Sequence, residues 1–201
     1  MHPAAGFKVE DEARLLEHLA RQPFATITGA PDGRPRVAHA PLVVRRLGNG
    51  LAIDFHVSRG NALEPFLEAG FRGLAVSLGP DAYISPDWYA APDQVPTWNY
   101  LSVEAEGPVT ALDETGLIAL LDALSAQEEA RLLPKRPWTR AKMAPGTFER
   151  MLRGIIGARL TVERLEGICK LSQNKDAADR AGVVTALGDH PIGRLMGDLA
   201  E

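Results

Sequence analysis

The segment DFHVSRGNALEP, residues 54–65, is the part of this sequence with the most concentrated chemistry. A β-rich run delivers His56 and Val57, and the chain then turns through Ser58, Arg59, Gly60 and Asn61 towards an expected helix start. A hydroxyl, a guanidinium, a glycine that admits close backbone approach and free helix N–H groups together suit a phosphate dianion. Ser-Arg-Gly-Asn is also good turn chemistry, so a plain turn accounts for the same residues.

Two further segments have ligand-binding character. In RPRVAHAPLVV, residues 34–44, His39 stands among apolar residues of an expected strand. Pro41 cannot donate to a sheet ladder, which points to an edge where Val37 and Ala38 present backbone amides. A satisfied core histidine fits His39 equally well. In EGICKLSQNKDAADR, residues 166–180, Lys170, Ser172, Gln173 and Asn174 gather donors between a strand and a helix. Asp176 and Asp179 already place negative charge in that helix's first turn, so Lys170 and Gln173 are the groups expected to meet a ligand. A solvated helix cap is the alternative.

Other chemistries find no support in the sequence. There is no GxSxG, GxGxxG, GxxxxGK[ST] or HExxH pattern and no EF-hand loop, and the five histidines are scattered. No metal site is expected. The single cysteine, Cys169, permits no intramolecular disulfide and suits a reducing cytoplasm. With 22 basic and 26 acidic residues the net charge is −4, which gives no global attraction to nucleic acid. A local patch, Lys135, Arg136, Arg140 and Lys142 around Trp138, is the one place where DNA contact is conceivable. The N-terminus lacks the basic and apolar regions of a secretory signal, and no apolar run reaches the roughly 20 residues of a membrane span, so a cytoplasmic, membrane-free protein is expected.

The elements that must position these groups follow from periodicity. An amphipathic helix over 11–22 carries Leu15, Leu16 and Leu19 on one face and stops at Pro23. Strands are expected over 24–29, 36–46, 51–57, 72–79 and 99–112, with turns at Pro31-Asp32-Gly33 and Gly48-Asn49-Gly50. Asn61 and Glu64 resemble a capping box, predicting a short helix over 61–69 that ends at Gly70. Asp113 caps a helix over 114–130, a basic connection leads to a short helix over 147–153, and residues 156–173 read as one long strand bent near Gly167. Asn174 caps a helix over 175–187, with a last one after Pro191. Six strands without βαβ alternation favour a closed antiparallel barrel, mainly β with peripheral helices, as one domain over 1–201.

Taken together, PFATI, HAPLVV, HVSRGN, GPDAYISPDWY, VPTWNY, MLRGIIG and EGICKLSQNKDAADRAGV resemble the PaiB-type FMN-binding negative transcriptional regulators, within the flavin-binding split-barrel group that includes pyridoxamine-phosphate oxidases. The resemblance runs from about residue 7 to 187. It implies a six-stranded antiparallel split β-barrel and a homodimer holding FMN between protomers. It also implies that Ser58, Arg59 and Asn61 hold the phosphate, with Val37 to His39 facing the isoalloxazine and His56 and Val57 nearby. Trp98, Asn99, Lys170 and Gln173 would close the cleft from the partner chain. The resemblance divides the aromatic run DWYAAPDQVPTWNY: Trp88 and Tyr89 become its structural end, Trp98 and Asn99 its flavin end. A sensory or regulatory FMN protein is thus the leading expectation. A flavin-dependent oxidoreductase using NAD(P)H is the second, and a haem protein ligated by His39 or His56 the third.

Overall fold

The computed structural model describes residues 4–199. They fall into two compact units, each discontinuous in sequence: a larger one of residues 19–77 and 104–165, and a smaller one of residues up to 18, 78–103 and from 166 onward.

The strands are β1 (Lys8–Val9), β2 (Phe24–Gly29), β3 (Arg36–Pro41), β4 (Val43–Leu47), β5 (Gly50–Ser58), β6 (Phe71–Ile84), β7 (Thr97–Ala111), β8 (Ile155–Val162) and β9 (Arg164–Lys170). The helices are α1 (Glu12–Arg21), α2 (Glu114–Ala130), α3 (Thr147–Leu152), α4 (Ala177–Leu187) and α5 (Pro191–Asp198). In the larger unit the antiparallel strands follow the order β3-β2-β6-β7-β8-β5-β4. The path ends at β3 and β4 without closing, so the barrel is split where the periodicity alone suggested closure. β3 nevertheless runs within 8 Å of β5, across the split.

Strand alternation sorts the larger unit's side chains onto two faces. Ile53, Phe55 and Val57 of β5 stand opposite Leu160, Ala158 and Ile156 of β8, and all six are buried. Burial of side chains this large is the main stabilising term of such a sheet, at about 1.5 to 3 kcal/mol each. The other face of the same strands carries Asp54 and His56 opposite Arg159 and Gly157. It is covered by α2, whose Leu117 and Leu120 pack with Val43. Asp54, 1% exposed, accepts from Arg159 Nε at 2.6 Å and Nη2 at 2.8 Å, and from Arg45 Nε at 3.3 Å. Arg45 also donates to the Ala119 carbonyl at 3.1 Å, tying α2 down.

In the smaller unit β1 pairs with β9. Ala82, Ile84, Tyr89, Cys169, Leu171, Val183, Ile192 and Met196 form its core. The loop after β6 is pinned there by Asp179, which accepts from the backbone N–H groups of Ala90 at 2.8 Å and Ala91 at 2.9 Å.

Four expectations about elements are corrected. The strand expected over 36–46 is two strands, because the chain breaks at Leu42 after the donorless Pro41 and changes partner from β2 to β5. The helix expected over 61–69 is only a 3-10 turn at Glu64–Phe66. Nine residues hold too few turns to offset the cost of nucleation, and Pro65 removes a donor. The strand expected over 156–173 divides at Glu163, whose N–H donates to the Glu106 carbonyl at 2.9 Å. Gly167 is instead a point of close approach, since a Cβ there would lie 2.2 Å from Leu15 Cδ2. Finally, Asp176 and not Asn174 caps α4, accepting from Asp179 N–H at 2.8 Å. No helix among the described residues is long and apolar enough to cross a membrane.

Candidate functional site

The residues singled out from sequence divide between the two units. Val37, Ala38, His39, His56, Val57, Ser58, Arg59 and Asn61 lie in the larger; Trp98, Asn99, Lys170 and Gln173 lie in the smaller.

In the larger unit, β5 ends at Ser58 and the chain leaves the sheet into an exposed turn. The Arg59 side chain is 54% exposed. Its Nε donates to the Arg153 carbonyl at 3.1 Å and its Nη1 to Glu64 Oε1 at 3.2 Å. Gly60 has φ +87°, and a Cβ added there would meet nothing within 4 Å. The turn therefore needs glycine's left-handed conformation and leaves open space beside its backbone. Asn61 does not aim at that space: its Oδ1 accepts from Leu63 N–H at 2.9 Å, an Asx turn that starts the 3-10 segment.

β3 forms the second part. As the terminal strand of its path it leaves alternate backbone groups without a ladder partner, as Pro41 foretold. Ala38 is buried while Val37 is 47% exposed and His39 faces solvent. His39 stacks on Phe24 at 6.5 Å between ring centroids and shares a 3.2 Å hydrogen bond with Thr26 through Nδ1. Phe24, 66% exposed, extends an open apolar surface that sequence reasoning did not single out. His56 is largely buried, and its Nδ1 is enclosed without a hydrogen-bond partner. That burial pushes its pKa below the usual imidazole range, because the charged form loses solvation.

In the smaller unit only Trp98 is displayed: it is 54% exposed and meets Tyr83 edge-on at 6.1 Å. Asn99 is fully buried and donates through Nδ2 to Ser172 Oγ at 2.9 Å and to the Met196 sulfur at 3.4 Å. Lys170 donates to Thr97 Oγ1 at 2.7 Å and lies 5.8 Å over the Phe7 ring; burial lowers its pKa. Gln173 folds back on its own segment, accepting from Leu171 N–H at 2.7 Å and donating to the Cys169 carbonyl. Tyr89 is buried, as expected for the structural end of the aromatic run, and Lys175 lies 4.8 Å over its ring.

Two residues gained meaning only from the fold. Glu64 looked like a capping partner for Asn61 and is instead the counter-ion of Arg59. Asp179 looked like solvated helix charge and is 3% exposed, holding the loop at Ala90 and Ala91. Their acid type was visible in sequence, but neither partner lies at a helix-periodic spacing.

A half-exposed guanidinium at an open glycine turn is chemically suited to a phosphate group, and the exposed Val37, His39 and Phe24 lie in the same unit. Comparison with known proteins bears on the family. A family model described as "Putative FMN-binding domain" matches residues 1–164. The "Protease synthase and sporulation protein PAI 2" of Bacillus subtilis (strain 168) is 30% identical over 197 residues, covering 97% of this chain and 94% of that protein. Among solved structures, the FAD and heme binding protein from Mycobacterium smegmatis matches with TM-score 0.60 at 19% identity, covering 90% of this chain and 80% of that one. The flavocytochrome Anf3 from Azotobacter vinelandii matches with TM-score 0.59 at 18% identity, covering 90% of this chain and 78% of that one. At such identities the structural likeness is one of fold, and it is the fold the strand order describes. From the match along the chain and the split antiparallel sheet together, the chain belongs to the PaiB-type family of FMN-binding split-barrel proteins.

Proposed function

We propose that this protein is a cytoplasmic FMN-binding homodimer, one split-barrel domain per chain, with a sensory or negative transcriptional regulatory role. The observation that carries the reading is the Ser58–Arg59–Gly60–Asn61 turn, where a half-exposed guanidinium stands beside open space at Gly60. Ser58 and Arg59 take the phosphate, and Asn61 shapes the turn that presents them. Val37 to His39 support the isoalloxazine along the free edge of β3, with His56 and Val57 behind. Bound FMN supplies two-electron redox chemistry. The residues of this chain hold its phosphate, pack its ring system and keep water from the His56 side.

A second copy accounts for the apolar groups left in solvent. Phe24 and Val37 of the larger unit and Tyr83 and Trp98 of the smaller are each 47% to 66% exposed, and they are the apolar side chains a second copy would cover. In the dimer, Trp98, Lys170 and Gln173 approach the partner's flavin, and Asn99 fixes the strand that carries Trp98. Direct DNA contact through Lys135, Arg136, Arg140 and Lys142 has weaker support. Lys135 is paired with Glu129 and Arg140 with Asp122, which lowers the potential of that patch.

The test is the visible spectrum and solution mass of the purified protein before and after adding FMN. Two broad near-UV and blue bands on a species of twice the chain mass are expected. A protein that stays monomeric and takes up no FMN overturns the reading. A sharp Soret band would replace it with a haem protein, and bleaching of the flavin by anaerobic NADH or NADPH would add an oxidoreductase activity.

A further inference from the structure

An acid, Glu64, stands beside the phosphate turn. Glu64 Oε1 takes one guanidinium proton of Arg59 at 3.2 Å, and the Arg153 carbonyl takes another at 3.1 Å. That leaves three of the five guanidinium donors for a ligand. Glu64 is held in place by its backbone and not by Arg59. Its N–H donates to the Asn61 carbonyl at 3.0 Å, its carbonyl accepts from Leu67 N–H at 3.2 Å, and Pro65 stiffens the next residue. The Glu64 side chain is only 25% exposed. When a phosphate takes the guanidinium, the carboxylate therefore stays close to it.

Two opposing effects follow. A phosphate can grip the planar guanidinium through two short charge-assisted bonds to the free donors, while Glu64 at 3.2 Å draws on the same positive charge. The carboxylate beside it repels the bound dianion, and like charges at that range disfavour each other.

We propose that Glu64 is a built-in competitor for the phosphate at Arg59, setting an affinity weak enough for a phosphorylated flavin to exchange with its supply. The inference rests on the phosphate reading of the Ser58–Asn61 turn and deepens it. The flavin is then a ligand whose occupancy follows its concentration, which is what a sensory role requires.

The experiment titrates flavin-free protein with FMN and, separately, with riboflavin, which lacks the phosphate, following flavin fluorescence. Wild type, Glu64→Gln, Glu64→Ala and Arg59→Ala are compared, with circular dichroism as a check of fold. Both Glu64 variants are expected to bind FMN about three- to tenfold more tightly, to release it more slowly on dilution, and to leave riboflavin binding unchanged. Unchanged or weaker FMN binding in both variants, or an equal gain for riboflavin, overturns the competitor role. Arg59→Ala separates the two levels. If it binds FMN as wild type does, the turn is not the phosphate site and both ideas fall. If it loses FMN while the Glu64 variants gain nothing, only the competitor role fails.

Discussion

Asp179 Oδ1 accepts the backbone N–H of Ala91 at 2.9 Å, across 88 residues of sequence. The same oxygen holds Ala90, so one buried carboxylate fixes the chain between the buried Tyr89 and the exposed run that leads to Trp98. Asp179→Ala leaves two backbone donors unpaired and is expected to cost about 2 to 3 kcal/mol, read from urea unfolding. Asp179→Asn, which keeps an acceptor oxygen, should cost less. Both variants should also be cut faster by protease within residues 90–96.

The contact between α4 and this loop leaves no room for a side chain. A Cβ at Gly182 would lie 2.1 Å from the Trp88 carbonyl oxygen, and a backbone atom cannot swing aside. Gly182→Ala should destabilise by about 1 to 3 kcal/mol through overpacking, lowering the thermal midpoint. A midpoint equal to wild type would mean that the helix and the 3-10 turn at Pro86–Trp88 separate more freely than their contact implies.

Asp54 is buried under α2 between two arginines. Asp54→Ala removes the acid that Arg159 and Arg45 share, and since breaking a fully buried pair from one side costs about 3 to 5 kcal/mol, a loss of up to about that size is expected with both arginines 30% exposed. Replacing Asp54 and Arg159 together by leucine and methionine should recover part of that loss, because the charge left without an acid is then the partly exposed Arg45, which keeps its bond to the Ala119 carbonyl. Equilibrium unfolding of the two variants decides it.

His56 makes stability depend on pH. Burial lowers its folded-state pKa, so between that value and the unfolded value of about 6.5 the unfolded chain binds more protons than the folded one. Stability therefore rises with pH through this window and is lost as pH falls below about 6.5. His56→Phe should flatten that part of the profile, seen by comparing urea midpoints at pH 5.5 and 7.5 for both proteins. An unchanged slope in the variant would assign the dependence to other groups.

Arg59 is exposed and contributes little to the fold, so its loss should appear in ligand binding. Arg59→Ala is expected to weaken FMN by about 1.5 to 3 kcal/mol, roughly ten- to 150-fold, with unfolding unchanged. A fluorescence titration alongside a thermal melt measures both.

Much of this protein was legible in its sequence wherever the determinants are local. β2 begins at Phe24 and ends at Gly29, and α2 runs from its Asp113 cap to Ala130, as period and capping chemistry required. The SRGN turn was legible because hydroxyl, guanidinium and glycine are consecutive, and their proximity needs no long-range folding. Pro41 announced the sheet edge, since a missing donor is a property of the residue itself, but the expected strand ran through it to residue 46, whereas β3 ends at Pro41.

What sequence could not supply was the identity of distant partners. Arg59 could be seen as a phosphate ligand, but its two present acceptors come from Glu64, five residues on, and from Arg153, 94 residues on. Asn99 sits beside Trp98 in the chain, yet strand alternation sends one into the core against Ser172 and the other to solvent. Residue type and short-range spacing determined the elements and the chemical character of the turn. Which charges are paired, which donors are spent and which apolar faces stay open was decided by tertiary packing, because those depend on segments brought together only when the sheet forms and shuts water out.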